Sequence, residues 1–175
     1  MMSRLDHLWA GWRSSYIESV TSGDGVAAEP QGPPPGEGSL FERILELSDD
    51  EGYIVHRGER CSTLLNAYPY TNGHVLVMPN VAVASLDDLD DDTHDQLWRE
   101  VRAAVAALRA AYRCDGVNVG LNLGRAAGAG VPEHLHVHAL PRWDGDTNFM
   151  TAVAEARVMP ESLSASFTKL RAAWP

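Results

Sequence analysis

The 175-residue chain has no apolar run long enough to cross a membrane. Its best candidate, Val101 to Tyr112, is broken by Arg102 and Arg109, whereas a span needs roughly 18 uninterrupted positions. The first residues, Met1 to Trp12, carry Arg4, Asp6 and His7 and lack the apolar core of a secretory signal. Cysteine is scarce: Cys61 and Cys114 are the only two, too few for a disulfide framework. They are expected to be reduced thiols, which suits a cytoplasmic home. Positive charge is also scarce. The chain has 14 Lys and Arg against 24 Asp and Glu, a formal net charge of -10. That excludes sequence-independent binding to DNA or RNA through phosphate neutralisation. A small anion needs only a local site of amides, histidines and an arginine, and stays compatible with this balance. The remaining composition, 45% hydrophobic and 22% charged, is an ordinary globular mix. A chain of this length buries about two-thirds of its unfolded surface, so neither a disulfide nor a metal is required to hold it.

Three regions follow from the pattern. Leu8, Trp9, Trp12 and Tyr16 recur like one face of a helix, so residues 1–20 read as a helical arm. Residues 21–38 are rich in Gly and Pro, with Pro33-Pro34-Pro35 at the centre, and read as an exposed linker. Residues 39–175 then form one domain. It opens with a short helix over 39–47, with Ser39 as cap and Leu40, Phe41, Ile44 and Leu45 facing inward. Strands are expected over 53–57, 61–66 and 74–78, separated by turn residues. The acidic stretch Asp87 to Asp92 reads as the start of a helix, where aspartates favour the dipole. It lacks the central Gly and terminal Glu of a calcium loop. The helix runs over about 93–113, with Leu97, Val101, Val105, Leu108 and Tyr112 as its apolar stripe. Two more strands, 116–122 and 134–140, flank the glycine-rich loop 124–130, and a helix over about 160–174 closes the chain. Neighbouring strands on short turns pair antiparallel, so the fold class is α+β: a sheet of about five strands with one long helix.

His134, His136 and His138 alternate with Leu135, Val137 and Ala139. On a strand, period two puts the three imidazoles on one face. Three of the seven histidines fall within five residues, which calls for an explanation. They would crowd an ordinary core. A zinc site and a nucleophilic imidazole oriented by its neighbours both fit the spacing. The glycine-rich backbone just before the cluster offers amide donors to an anion, which suits phosphoryl chemistry.

At this point the chain resembles the histidine triad family, whose motif is His-x-His-x-His followed by two apolar residues, here His134 to Leu140. The resemblance extends to Leu8-Trp9-Ala10-Gly11-Trp12-Arg13, to Asn66 through Met78, to Asn122 through Gly130, and to Pro141-Arg142-Trp143 with Gly145 to Met150. These segments match a bacterial branch described as diadenosine tetraphosphate phosphorylase-like. The resemblance implies a nucleotidyl transferase or hydrolase of dinucleoside polyphosphates. His136 would attack the α-phosphate, His138 would contact phosphate oxygens, and His134 would fix ring orientation. Asn122 with the Gly128, Ala129 and Gly130 amides would hold the phosphates. Asn66 would bind the ribose, and Leu64 would flank the base. It further implies a nucleotide as partner, no nucleic acid or membrane, and a homodimer.

One departure stands out. Many bacterial members of the family carry a structural zinc on a Cys-x-x-Cys pair, a histidine after the third strand and the first triad histidine. Those positions fall here on Ser39, Glu42, near Ala82 and on His134. Ser, Glu and Ala cannot rebuild a thiolate-imidazole site, so no metal and no cofactor are expected. Among other residues, Trp143 either caps the core or lines the site, and Arg142 either pairs with surface acids or helps bind phosphate. His74 either packs or meets substrate, and His7, His56 and His94 are expected to be exposed.

Overall fold

The computed structural model describes residues 36–146 and 161–175. The expected arm (1–20) and nearly all of the linker lie outside the described residues, as does the Thr147 to Met150 part of the C-terminal motif.

Helix α1 spans Leu40–Leu45, and Ser39 caps it in a reciprocal capping box with Glu42. Strands β1 (Ile54–Arg57), β2 (Cys61–Leu65) and β3 (Val75–Pro79) follow, then the long helix α2 (Asp91–Tyr112). Strands β4 (Gly116–Leu121) and β5 (Val137–Arg142) and helix α3 (Leu163–Ala173) complete the described chain. The sheet has five strands in the order β1-β2-β3-β5-β4, antiparallel throughout. The α+β class and the strand count therefore agree with the sequence reading.

Alternation along the strands sorts the side chains onto two faces. Val55, Leu65, Val75, Val77, Val137 and Ala139 pack beneath α2 and α3. Ile54, Leu64, Leu76 and Met78 turn the other way and pack on Phe41 of α1. The large core is thus on one side and a small apolar platform on the other, and the histidines share the platform. Glu161 anchors α3 to α2: it accepts from Tyr112 Oη at 2.8 Å and from Ser166 Oγ at 2.7 Å, and it pairs with Lys169.

Two details differ from expectation. The last strand begins at Val137 rather than at residue 134. Val77 pairs with Val137, and two residues further the register would set Leu135 against Pro79. Proline has no N–H to give a ladder, and the Leu135 N–H goes instead to the Val83 carbonyl at 2.7 Å. His134 and His136 therefore precede the strand, and only His138 lies on it. The α2 stripe is Leu97, Val101, Ala104, Ala107 and Leu108, while Val105 and Tyr112 are only half-buried. The small alanines let the helix lie close to the sheet.

Candidate active site

Each triad imidazole has a proton position dictated by its neighbours. His134 is fully buried. Its Nε2 lies 2.8 Å from the Pro79 carbonyl, which only accepts, so Nε2–H donates. Its Nδ1 then accepts from Ser39 Oγ–H at 2.6 Å. His136 has the opposite arrangement. Its Nδ1–H donates to the His134 carbonyl at 2.8 Å, which leaves the lone pair on Nε2. Burial holds the pKa of His136 below the ordinary histidine value, with the carbonyl contact opposing that shift and neighbouring His134 adding to it. Burial lowers His134 likewise. A neutral imidazole with a bare Nε2 is the form that can attack an electrophile. The Phe41 ring meets both edge-on, with centroids 5.4 Å from His134 and 5.0 Å from His136.

His138 is set from the other side. His74, fully buried, accepts the Tyr70 backbone N–H at its Nδ1 at 3.1 Å. Its proton therefore sits on Nε2, which stands 3.0 Å from His138 Nδ1. His138 in turn carries its proton on Nε2. The Tyr70 ring stacks on His138 at 5.9 Å and 24°. Sequence reasoning left His74 between packing and substrate contact. It is instead the donor that orders the third histidine. The only sequence signal was its place after Gly73 at the head of a strand, because pairing of β3 with β5 is invisible to local pattern.

The other expected residues are placed as follows. Leu64 is buried in the platform beside Phe41 and Met78. Asn66 lies at the His74–His138 pair: its Nδ2 is 3.3 Å from His74 Nδ1, and its Oδ1 accepts the Tyr68 N–H at 2.9 Å. Asn122 follows Leu121, which pairs with Val137, so it is next to His136 in register. In the glycine loop the Gly128 N–H donates to the Arg125 carbonyl at 2.9 Å and the Ala129 N–H to Gly124 at 3.3 Å. The loop's own turn thus takes two of the three amides expected to face phosphate. Gly130 N–H has no backbone acceptor among the described residues.

Several residues turn away from this chemistry. Arg142 makes a two-pronged pair with Asp146, both contacts at 2.6 Å, and bonds Asn118 at 2.8 Å. Trp143 packs edge-on against Tyr112 of α2. His56 corrects an expectation: it is only half-exposed, 3.1 Å from Glu100 and stacked on Trp174. His94 is exposed, accepting from Trp98 Nε1, and His7 lies outside the described residues. Cys61 is buried with its pKa pushed up to about 12 by burial, so it is no nucleophile.

The four positions at which the family resemblance puts zinc do converge. Ser39 meets His134, and Glu42 Oε2 accepts Ser39 N–H at 2.7 Å while Oε1 accepts Ala82 N–H at 3.0 Å. The donor set does not fit zinc. Ser39 Oγ is engaged on both sides, both carboxylate oxygens are taken by amides, and Ala82 offers no ligand.

A family model described as HIT domain matches residues 49–145. Over 173 residues the chain is 38% identical to the AP-4-A phosphorylase of Mycobacterium tuberculosis, covering 98% of this chain and 85% of that one. It is 33% identical over 93 residues to the asymmetrical bis(5'-nucleosyl)-tetraphosphatase of Schizosaccharomyces pombe, covering 53% of this chain and 50% of that one. Among solved structures, a Zn-bound histidine triad family protein of Mycobacterium smegmatis superposes with a TM-score of 0.58 at 30% identity, covering 69% of this chain and 82% of that one. A HIT-like protein of Bartonella henselae gives 0.58 at 26% identity, covering 69% and 84%.

Fold and relatives together define an enzyme that acts on nucleotides. The chain belongs to the histidine triad, or HIT-domain, family.

Proposed function

We propose that this protein is a dinucleoside polyphosphate phosphorylase that works through a covalent nucleotidyl-histidine on His136. The observation that carries the reading is the His136 Nδ1–H bond to the His134 carbonyl, which reserves Nε2 for attack. In the first step the Nε2 lone pair forms a bond to the α-phosphorus. The bond from that phosphorus to the bridging oxygen breaks, and its electron pair leaves with the departing nucleotide. The Nε2–H of His138 donates a hydrogen bond to the departing oxygen, which leaves as the phosphate anion of ATP. In the second step an oxygen of inorganic phosphate attacks the same phosphorus. The N–P bond returns its pair to His136 Nε2, and the proton carried by hydrogen phosphate stays on the ADP formed or is released to solvent. Diadenosine tetraphosphate would thereby give ATP and ADP. Leu64 and the platform around it form the base side, Asn66 the ribose side, and Asn122 with the Gly130 amide the phosphate side. The relative named AP-4-A phosphorylase, aligned over nearly the whole chain, supports this substrate class.

The protein would act in the cytoplasm as a homodimer, with strand β4 at the end of the sheet as the edge that a second copy covers. Light scattering at micromolar concentration checks the dimer.

The test of function is a product assay on diadenosine tetraphosphate with and without phosphate, run beside His136→Ala. The expected result is phosphate-dependent ADP and ATP, and a loss of turnover of at least about 10³-fold in the variant with binding retained. Near-native turnover by His136→Ala would overturn the assignment.

A further inference from the structure

The convergence of Ser39, Glu42, Ala82 and His134 without a zinc-competent donor set leaves a question of what holds the first histidine. The answer is legible in the hydrogen bonds. Ser39 Oγ accepts the Glu42 N–H at 3.1 Å, which directs its own proton to His134 Nδ1 at 2.6 Å. The other ring nitrogen of His134 is tied to the Pro79 carbonyl. The ring therefore has one orientation and one tautomer, because a flip would break both bonds of an imidazole that is itself fully buried.

Glu42 acts on the backbone. Its two oxygens take amides from two segments, Ser39 at the head of α1 and Ala82 in the loop after β3. The next residue of that loop, Val83, accepts the Leu135 N–H, and Leu135 sits between His134 and His136. One carboxylate thus joins α1 to the strap that grips the histidine segment. The His134 carbonyl, whose direction this fixes, is the acceptor that holds His136 Nδ1–H.

We propose that Ser39 and Glu42 form a hydrogen-bond clamp that takes the place of a metal and positions the nucleophile His136 through His134. The proposal rests on the nucleotidyl-histidine reading for its kinetic part only, since the tautomers it requires exist without substrate. Ser39 and Glu42 touch no reacting atom and are positioning residues.

The experiment compares Ser39→Ala, Ser39→Thr and Glu42→Gln with the wild-type chain. All are freed of metal by a chelator and assayed with diadenosine tetraphosphate and phosphate. Nitrogen-15 NMR of the histidine rings is recorded for each without substrate. The clamp requires that the chelated wild-type protein keep its activity without added zinc. It requires that Ser39→Ala lose about tenfold or more in kcat with KM nearly unchanged, as removal of an orienting hydrogen bond behind a functional group does. Ser39→Thr, which keeps the hydroxyl, should recover most of that loss, and Glu42→Gln, which keeps one acceptor oxygen, should fall between. In the wild-type spectra His134 should carry its proton on Nε2 and His136 on Nδ1, and Ser39→Ala should disturb both rings. Wild-type kcat in Ser39→Ala, zinc-dependent recovery of the chelated enzyme, or a wild-type His136 protonated on Nε2 would each overturn the clamp. Should Ser39→Ala fail to fold, the wild-type spectra and Glu42→Gln still decide. A wild-type protein inert toward the substrate but showing both tautomers would sink the nucleotidyl reading and leave the clamp standing.

Discussion

His74 Nε2 lies 3.0 Å from His138 Nδ1, and the proton between them belongs to His74. The reason is one residue turn away: the Tyr70 amide occupies His74 Nδ1 at 3.1 Å, and an amide can only donate. A buried imidazole outside the triad thus determines which nitrogen of His138 carries hydrogen. His136 is fixed in the opposite tautomer by a carbonyl. Two imidazoles whose centroids are 5.0 Å apart are therefore held as a lone pair and a donor, the two roles a displacement at phosphorus needs.

Replacing His74 by Phe keeps an aromatic ring of similar bulk but removes the donor. His138 Nδ1 can then carry the proton, and the form with Nε2–H is depopulated. The expected outcome is a fall in kcat on the order of 10²-fold, the usual scale for a positioned hydrogen-bond donor at a developing charge, with a smaller change in KM. Steady-state kinetics beside a melting curve separates this from unfolding. A folded variant with kcat within a factor of about two of wild type would show that His74 only packs.

The pH dependence follows from the two buried rings. Burial holds His134 and His136 below the ordinary value, which is about 6.5. In the unfolded chain they take up protons as pH drops through that value, while in the folded chain they resist until lower pH. The unfolded state then binds more protons, so their contribution to stability is fully present above about pH 6.5 and is lost as pH falls below it. On the proposed nucleotidyl-histidine reading, activity should follow the same sign, because protonated His136 would have no lone pair to give. A pH series should place the acid limb of kcat/KM below about 6.5 and show the melting temperature declining over the same window. An acid limb above the ordinary histidine value would contradict the burial argument.

Much of this arrangement was legible before any coordinates, and the parts that were not have a common cause. Period two in His134 to His138 and period 3.6 in α2 report local geometry; the long helix stands where its pattern put it, while the strand holds only His138 of the three histidines. The start of β5 depended on Pro79, a residue of another strand that cannot complete the ladder. The role of His74 depended on β3 lying beside β5. Ser39 could be seen as a helix cap, but its second hydrogen bond reaches across 95 residues to His134. In each case the missing information was a pairing between segments distant in sequence, which no local period encodes.

Gly73 tests the geometry that delivers His74. Its φ is +73°, and a Cβ there would lie 2.5 Å from Tyr112 Cε2. The tyrosine ring cannot easily yield, because its hydroxyl is bonded to Glu161 at 2.8 Å. Gly73→Ala therefore faces both a left-handed backbone and a clash. The expected cost is about 1–3 kcal/mol of unfolding free energy, read from denaturant midpoints, together with a loss of kcat through the displaced His74. Wild-type stability and rate in Gly73→Ala would mean that the turn relaxes without moving the histidine.

The choice of acceptor can be narrowed to one cation. For phosphate to attack the histidine adduct, two anions must approach, and a nearby positive charge offsets their repulsion. Of the two arginines flanking the site in sequence, Arg142 is neutralised by its two-pronged contact with Asp146 and also holds Asn118. Arg125 sits in the exposed turn Arg125–Ala127 of the glycine loop and makes no ion pair among the described residues. The positive charge that recruits phosphate is then expected from Arg125. An exposed pairing contributes at most about 1 kcal/mol, or roughly a fivefold effect. Arg125→Ala should raise the phosphate concentration needed for half-maximal ADP formation by about that factor. The slower release of AMP to water in phosphate-free buffer should hardly change, since water carries no charge to steer. Titrating phosphate and following the ADP to AMP ratio measures both at once. An unchanged phosphate dependence in Arg125→Ala would remove this residue from the acceptor site, and equal loss of both products would mean that the loop serves the first step instead.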